Sequence, residues 1–414
     1  MICGLTLSAL VLRNGKLLLL AVPFLVFLTS GLLQSPGEMR LLAHRTIGKP
    51  GIVAQEPVET RVVIENQGKD LANLYVEDPL FPSMRILDGQ AAQRLSLPGG
   101  ARTELSHVLS ARRGVYSWSG IRATASDPFG LFEFERDIPA PAEIVVRPAS
   151  LRLRHIPLKP RFTLHAAGPI SARLAGSGTD FFGTREYRPG DPLRRLNWRL
   201  AARHPRKLFA NEYEREEIGD FGLILDARRL TGADEMEEAL FEASIGAAAS
   251  LAETFLKEGN RVALLIFGKT ITSLAPGYGK RQLQLILRNL AHADLGSNLS
   301  FEHLEYFPAR LFPSRSIIVV FSVLDPRDLE TYARLRSFGY EILLISPDPV
   351  EYAARKLPPA EINSLVVRAA RVERTIQLNQ LLKLGVQVID WQTGQPLEEA
   401  IQKTARYLAH RRNM

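Results

Sequence analysis

The sequence predicts a multi-domain chain: an N-terminal transmembrane segment, an antiparallel β-sandwich, and then an α/β doubly wound parallel sheet. Three observations predict it. Residues 17–33 read LLLLAVPFLVFLTSGLL, 17 residues without a charge. From about Ile52, short segments alternate apolar and polar side chains at period two, between turn signals. From Phe221, continuous apolar runs alternate with helical patterns, as in a parallel sheet covered on both faces.

The apolar run is near the lower limit for a spanning helix, which needs about 20 residues and at least about 17. Pro23 is tolerated in a lipid-embedded helix. A second apolar stretch, residues 2–12, precedes it across Arg13, Asn14, Gly15 and Lys16. It is short for a full span, so the anchor at residues 1–34 is one helix or a short hairpin. The alternative is a secretory signal peptide, with basic residues before an apolar core. A small-x-small cleavage site is not evident near Thr29, Ser30 and Gly31, which favours a retained anchor. Arg13 and Lys16 lie before the segment and Arg40, Arg45 and Lys49 after it, so the positive-inside rule gives no orientation. The expected location is the cell (inner) membrane, with the soluble domains in the cytoplasm. The one cysteine, Cys3, excludes disulfides within the fold and zinc sites built on several cysteines.

The chain has 414 residues, is 46% hydrophobic and 23% charged, and therefore has the composition of two or three globular domains. A linker is expected at residues 35–50 and the sandwich at 51–150. VETRVVIEN (Val58–Asn66) alternates and ends on an Asn-Gln-Gly turn, and LANLYVED, TELSHVLSA, GVYSWSGIRATAS and AEIVVRP are further strands. Asp127-Pro128-Phe129-Gly130 reads as a turn carrying a buried aromatic, a corner of the sandwich. Nothing in this region resembles a catalytic set.

The most distinctive string is GTDFFGTREYRPGDPLRRLNWRLAARHPRKLFANEYERE, within an arginine-rich core at residues 151–218. The net charge of the chain is +8; residues 151–215 alone hold 14 Arg or Lys against 5 Asp or Glu. Pro189-Gly190-Asp191 is a turn, and Leu193, Leu196 and Leu200 then fall at helical spacing. The string closely resembles the bacterial and archaeal family named domain of unknown function 58. That family carries R-E-Y-x-P-G-D, then an arginine, an isoleucine and a tryptophan, then A-R. The matching residues are Arg185, Glu186, Tyr187, Pro189, Gly190, Asp191, Arg195, Trp198, Ala202 and Arg203, with Leu196 where isoleucine is usual. The upstream string RRGVYSWSGIRATASDPFGLF resembles the family's longer members, which carry an N-terminal membrane segment and a β-rich domain. Arginine pairs bidentately with carboxylate or phosphate. The string therefore has three readings: an internal arginine–carboxylate network, a basic docking surface for an acidic partner, or a phosphate or nucleic-acid site. The acidic residues Glu186, Asp191, Glu212 and Glu214 inside it favour pairing within the protein.

In the last region, residues 219–414, strands are expected at 221–227, 261–267, 316–324, 341–346 and 386–391, and helices at 235–258, 280–292, 327–337 and 397–411. Ligands bind at the carboxyl ends of strands in such sheets, where the strand order reverses. Asp226 ends the first strand. The region is similar to von Willebrand factor A-like domains, in which that place carries D-x-S-x-S, whose aspartate and hydroxyls help hold a divalent cation, usually Mg²⁺. Here the string is Asp226-Ala227-Arg228-Arg229-Leu230, so both serines are replaced, and Arg228 brings a competing positive charge. Later loops offer Ser297, Asn298, Ser300, Ser322 and Asp325 but no clear threonine–aspartate pair. The site reads as a degenerate metal-ion-dependent adhesion site, and no cofactor is expected.

No activated nucleophile, carboxylate pair, metal triad or nucleotide loop stands out, and GYGKR at Gly277 lacks the phosphate-loop pattern. The expectation is a binding protein and not an enzyme. The family resemblance implies an adaptor that works with a MoxR-type AAA+ ATPase in assembling or maturing an unknown client protein. The alternative is a membrane-associated nucleic-acid or anionic-lipid binder using the basic patch at residues 151–215.

Overall fold

A computed structural model of the chain describes residues 15–33, 39–49, 51–150, 153, 170–204, 206–217, 219–230, 232, 234–268, 270–296, 311–313, 316–358 and 361–412. The apolar stretch at residues 2–12 and the loop residues Ser297, Asn298 and Ser300 lie outside them. The chain divides into two units, Met1–Arg147 and Pro148–Met414.

The first unit begins with a helix, Gly15–Leu33, that contains Pro23. Leu19, Val22, Leu25, Val26, Leu28 and Leu33 on it are exposed, so the helix presents apolar side chains outward instead of burying them. Nine strands follow: β1 (Leu41–Ile47), β2 (Gly51–Val53), β3 (Val58–Asn66), β4 (Leu71–Glu77), β5 (Met84–Gly89), β6 (Ala92–Leu97), β7 (Arg102–Ala111), β8 (Gly114–Ser126) and β9 (Glu133–Arg147). They form two sheets, β1-β3-β7-β5 and β2-β9-β8-β4-β6. All pairings are antiparallel except β2 with β9. Period two explains the core. Val62, Ile64 and Leu105 from one sheet meet Leu74, Val76, Ile121 and Ala123 from the other.

Two sequence expectations change here. Strand β1 falls in the stretch assigned to a linker. Its inward positions include Arg45, whose charge hides the alternation of LLAHRTI. Arg45 is buried and pairs with Asp78; it also donates to the Ala140 carbonyl at 3.2 Å and lies 4.9 Å from the Trp118 ring. The turn at Asp127 is present, but its aromatic is not buried: Phe129 is 43% exposed.

The second unit opens with a two-stranded antiparallel ribbon, β10 (Ile170–Glu186) with β11 (Phe209–Glu217). Six further strands follow: β12 (Asp220–Asp226), β13 (Arg261–Phe267), β14 (Ile271–Gly277), β15 (Ile317–Phe321), β16 (Glu341–Pro347) and β17 (Gln387–Trp391). Their order is β14-β13-β12-β15-β16-β17. Pairing is parallel except for the edge strand β14, which runs antiparallel to β13. The first strand of the sheet is therefore central, and the chain leaves it in opposite directions toward β13 and β15. That is the switch point, where ligand sites form in open α/β sheets.

Both faces of this sheet are covered. On one, Phe241, Ile245, Leu251 and Phe255 of the helix Asp234–Lys257 pack on Leu223 and Leu225; on the other, Tyr332, Leu335 and Leu381 pack with Ile224, Val320 and Leu344. Gly222 admits the second layer, because a Cβ there would lie 2.5 Å from the Phe312 ring. Among the described residues one helix, Glu235–Lys257, is long and apolar enough to cross a membrane, and 72% of that stretch is buried inside the fold. Val22–Leu33 is a shorter apolar helix.

Candidate functional site

The matching string, residues 185–203, is a sequence fingerprint that builds a locked turn beside the β10–β11 ribbon. Arg185 stands at the end of β10, and Glu212 opposes Gly183 on β11. Arg185 donates from Nε to Glu212 Oε1 at 2.8 Å, and from Nη1 and Nη2 to the two Asp191 oxygens, each at 2.8 Å. Asp191 also accepts from the Arg188 amide at 2.9 Å. The turn closes through Asp191 N to the Arg188 carbonyl at 3.0 Å, with Pro189 second and Gly190 third at φ +108°. A positive φ at that position favours glycine. Tyr187 donates its hydroxyl to the Asp191 carbonyl at 3.1 Å. The Arg185 guanidinium, helped by the Arg188 amide, holds the Asp191 carboxyl down at about 2.

The segment after the turn departs from the expected helix. A 3₁₀ turn at Leu193–Arg195 and a single helical turn at Trp198–Ala201 are separated by Leu196, which is buried and bridges Ala210. Asn197 then caps the second turn by accepting from the Leu200 amide at 3.0 Å. Leu193 is 70% exposed and Trp198 is 69% exposed. Glu186 is exposed and pairs with Lys207 at 3.1 Å; Arg203 is exposed and Arg195 half-buried. The fingerprint therefore splits. Arg185, Tyr187, Pro189, Gly190 and Asp191 fix the turn, whereas Trp198 and Arg203 face solvent.

The second constellation lies at the carboxyl end of the central strand. Asp226 Oδ1 accepts from the Arg228 amide at 3.0 Å and from Arg228 Nε at 2.9 Å. Its Oδ2 accepts from Arg228 Nη2 at 2.8 Å and from the Ser322 hydroxyl at 2.6 Å. The same guanidinium donates to Asp328, from Nη1 to Oδ1 at 3.0 Å and from Nη2 to Oδ2 at 2.6 Å. All three side chains are buried. Asp325 and Asp328 form a capping box on the turn Pro326–Asp328. Leu324, at φ +79°, holds the strand-to-turn corner in a strained conformation. Burial opposes the charge of Arg228, but the hydrogen bonds it donates to Asp226 and Asp328 raise its pKa. Burial, with Asp226 and Asp325 alongside, pushes the Asp328 carboxyl up to about 6 against the pull of Arg228. Burial sets that direction, and the neighbouring carboxylates add to it.

These oxygens do not fit a divalent cation as they stand, because the guanidinium already engages both carboxylates. Among the described residues no group of three or more His, Cys, Asp or Glu is arranged to hold a metal. The hollow beside the cluster, lined by Asp226, Arg228, Glu237, Leu240 and Ser322, measures about 20 Å³. Small-molecule sites run to about 300–1,000 Å³.

Residues 183–375 match the family described as Protein of unknown function DUF58. The DUF58 match begins two residues before Arg185 and contains both constellations. An uncharacterized protein of Bacillus subtilis (strain 168), YeaD, is 24% identical over 286 residues, which cover 67% of this chain and 69% of YeaD. Among solved structures, the CARDB domain of the PF1109 protein from Pyrococcus furiosus is 17% identical, covering 26% of this chain and 88% of that one at a TM-score of 0.19. The cupredoxin domain of amoB from Nitrosocaldus yellowstonii is 12% identical, covering 27% and 89% at a TM-score of 0.20.

Sequence reasoning marked Asp226, Arg228, Ser322 and Asp325 but missed Asp328. The signal for it within the DUF58 match was Asp325-Pro326-Arg327-Asp328 just past an apolar strand, a helix-start signature. It also missed Arg374, buried on the helix Glu361–Lys383, which donates from Nη2 to Asp390 Oδ1 at 2.7 Å and Ser346 Oγ at 3.1 Å.

Proposed function

We propose that the chain is a membrane-anchored adaptor that works with a MoxR-type AAA+ ATPase in assembly or maturation of client proteins, and that it is not itself an enzyme. The observation that carries this reading is the outward face of the fingerprint. Trp198 and Leu193 are exposed within six residues of each other, next to a turn fixed by Arg185 and Asp191. Residues 183–212 hold 8 Arg or Lys against 3 Asp or Glu. Exposed tryptophan among arginines is the composition of binding hot spots, and the basic excess suits an acidic protein surface.

The strand order of the second unit, with its central first strand, supports a von Willebrand factor A-like domain whose cation position is taken by Arg228. The small hollow at its strand ends favours scaffold and binding over small-molecule chemistry. The outward apolar side chains of the helix Gly15–Leu33 support a membrane anchor. Its 19 residues span about 28 Å at 1.5 Å per residue, close to the roughly 30 Å hydrocarbon core. Within this reading the soluble units face the cytoplasm, the side on which an ATPase finds its ATP.

The exposed side chains of Arg194, Arg199, Arg203 and Arg206 also favour a second reading, nucleic-acid or anionic-lipid binding by the basic patch. A salt titration separates the two. Full-length protein in neutral nanodiscs is tested against the ATPase and against DNA or anionic vesicles. Phosphate binding weakens steeply with salt as counterions are released. Capture of the ATPase that tolerates salt and follows its nucleotide state supports the adaptor. Salt-steep binding to phosphate alone, with no ATPase capture, overturns it.

A further inference from the structure

The turn Asp127–Phe132 between β8 and β9 is unusually well fixed for a loop that exposes apolar side chains. The Asp127 carboxylate is buried and accepts from the amides of Phe129 at 2.9 Å, Leu131 at 2.7 Å and Phe132 at 2.7 Å. Gly130, at φ +68°, supplies the left-handed residue that the tight turn requires. Every hydrogen bond of the aspartate is thus spent on shaping the loop, and what the loop presents is Phe129 and Leu131, 43% and 42% exposed.

The loop also touches the N-terminal helix. The Phe27 and Phe129 ring centroids are 4.7 Å apart with planes tilted at 53°. One turn further on, Gly31 is buried, and a Cβ there would lie 3.0 Å from Leu131 Cδ1 and 3.3 Å from Asp127 Oδ2. A side chain at position 31 would press on the Leu131 tip and the Asp127 carboxylate, so glycine suits this close approach. Phe129 and the helix together line an open groove of about 530 Å³, whose walls include Leu19, Val22, Pro23, Val26 and Phe27. The exposed apolar surface of the helix therefore continues onto the loop tip without a polar break among the residues that line the groove, save Ser30.

We infer that the Asp127–Phe132 loop is a second membrane contact, inserting Phe129 and Leu131 into the bilayer interface against the C-terminal turns of the anchor helix. The occupant is lipid, because the loop extends the same apolar face that the helix offers to hydrocarbon. Aromatic and leucine side chains buried shallowly at the headgroup boundary are how interfacial elements hold to a bilayer. The β-sandwich then rests on the membrane at the end of β8 and does not swing freely from it. The inference rests on the reading of Gly15–Leu33 as a membrane anchor.

Depth-dependent quenching tests it. Full-length protein carrying Cys3→Ser and one labelled cysteine is reconstituted into phosphatidylcholine vesicles that contain lipids with a doxyl group at a shallow or a deep acyl position. The labelled positions are Phe129→Cys, Leu131→Cys as an independent tip position, Leu25→Cys in the helix, and Ser117→Cys. Ser117 lies ten residues before Asp127 on β8, about 33 Å away at roughly 3.3 Å per residue. The expected result is strong quenching at positions 129 and 131 by the shallow quencher, quenching at 25 by the deep one, and none at 117. Quenching at 25 with none at 129 or 131 overturns the loop contact and leaves the anchor standing. No quenching at any of the three overturns both.

Discussion

Arg228 Nη2 lies 2.8 Å from Asp226 Oδ2 and 2.6 Å from Asp328 Oδ2, so one guanidinium ties the end of the central strand to a turn 100 residues later. Its removal leaves two buried carboxylates facing each other without their shared counter-charge. Arg228→Met is expected to destabilise the protein by about 3–5 kcal/mol, the cost of breaking a buried ion pair. Arg228→Lys keeps the charge but loses the fork, and should lose less. Denaturant unfolding of the full chain in detergent reads both; a midpoint unchanged in Arg228→Met contradicts this role.

The same geometry governs cation binding. While Arg228 engages both carboxylates, Mg²⁺ or Ca²⁺ is expected to bind no more tightly than about millimolar, the weak end of oxygen-ligand sites. Arg228→Ser frees Asp226, Asp328 and Ser322 as oxygen ligands and should tighten Mg²⁺ binding measurably by calorimetry. Micromolar binding by the parent, lost in Asp226→Ala, contradicts the account.

The fingerprint turn has a pH signature. The folded Asp191 carboxyl is held at about 2, against an ordinary value of 3.8, chiefly by Arg185 and then by the Arg188 amide. A depressed carboxylate contributes stability that is fully present above its unfolded value and lost as pH falls through the folded one. The Asp191 contribution should therefore disappear between about pH 4 and pH 2. Asp191→Asn should melt a few degrees lower than the parent at neutral pH and show a shallower acid limb. Identical acid limbs in parent and variant would place Asp191 outside the stabilising network.

What the sequence reveals follows from how each element is buried. Strands β12, β13, β15 and β16 are buried on both faces and read as continuous apolar runs, whereas the edge strand β17 buries Val388, Ile389 and Trp391 and exposes Asp390. Strand β14 is half exposed, sits at the sheet edge and ends in Pro-Gly, so ITSLAPG carries no such run. Strand β5 exposes all but its first residue and shows no apolar stripe, and β6 turns only Leu95 and Leu97 toward the core. Ribbon strand β10 is rich in Gly, Ser and Thr and lies outside both periodic templates. In the helix Glu361–Lys383, Arg374 occupies an inward position and the exposed positions include Leu365, Val372 and Ile376, so its pattern runs against amphipathic expectation. At the strand end, Arg228 was visible as a competitor for the cation because it sits two residues from Asp226. Asp328 was not, because a contact across 100 residues has no spacing signature.

Capture of a protein partner by the outward face of the fingerprint depends on Trp198. Its side chain is 69% exposed, so Trp198→Ala should change stability by no more than about 0.5 kcal/mol, as surface substitutions usually do. A hot-spot residue costs about 2 kcal/mol or more on truncation, so the same variant should bind the partner more than about tenfold more weakly. The measurement is the affinity of nanodisc-embedded full-length protein for the MoxR-type ATPase of the same organism, parent against Trp198→Ala, at matched salt and nucleotide. Salt-tolerant binding by the parent and more than about tenfold loss in the variant, with an unchanged melt, are expected. Equal affinities, or no binding by the parent in any nucleotide state, would contradict capture through this face.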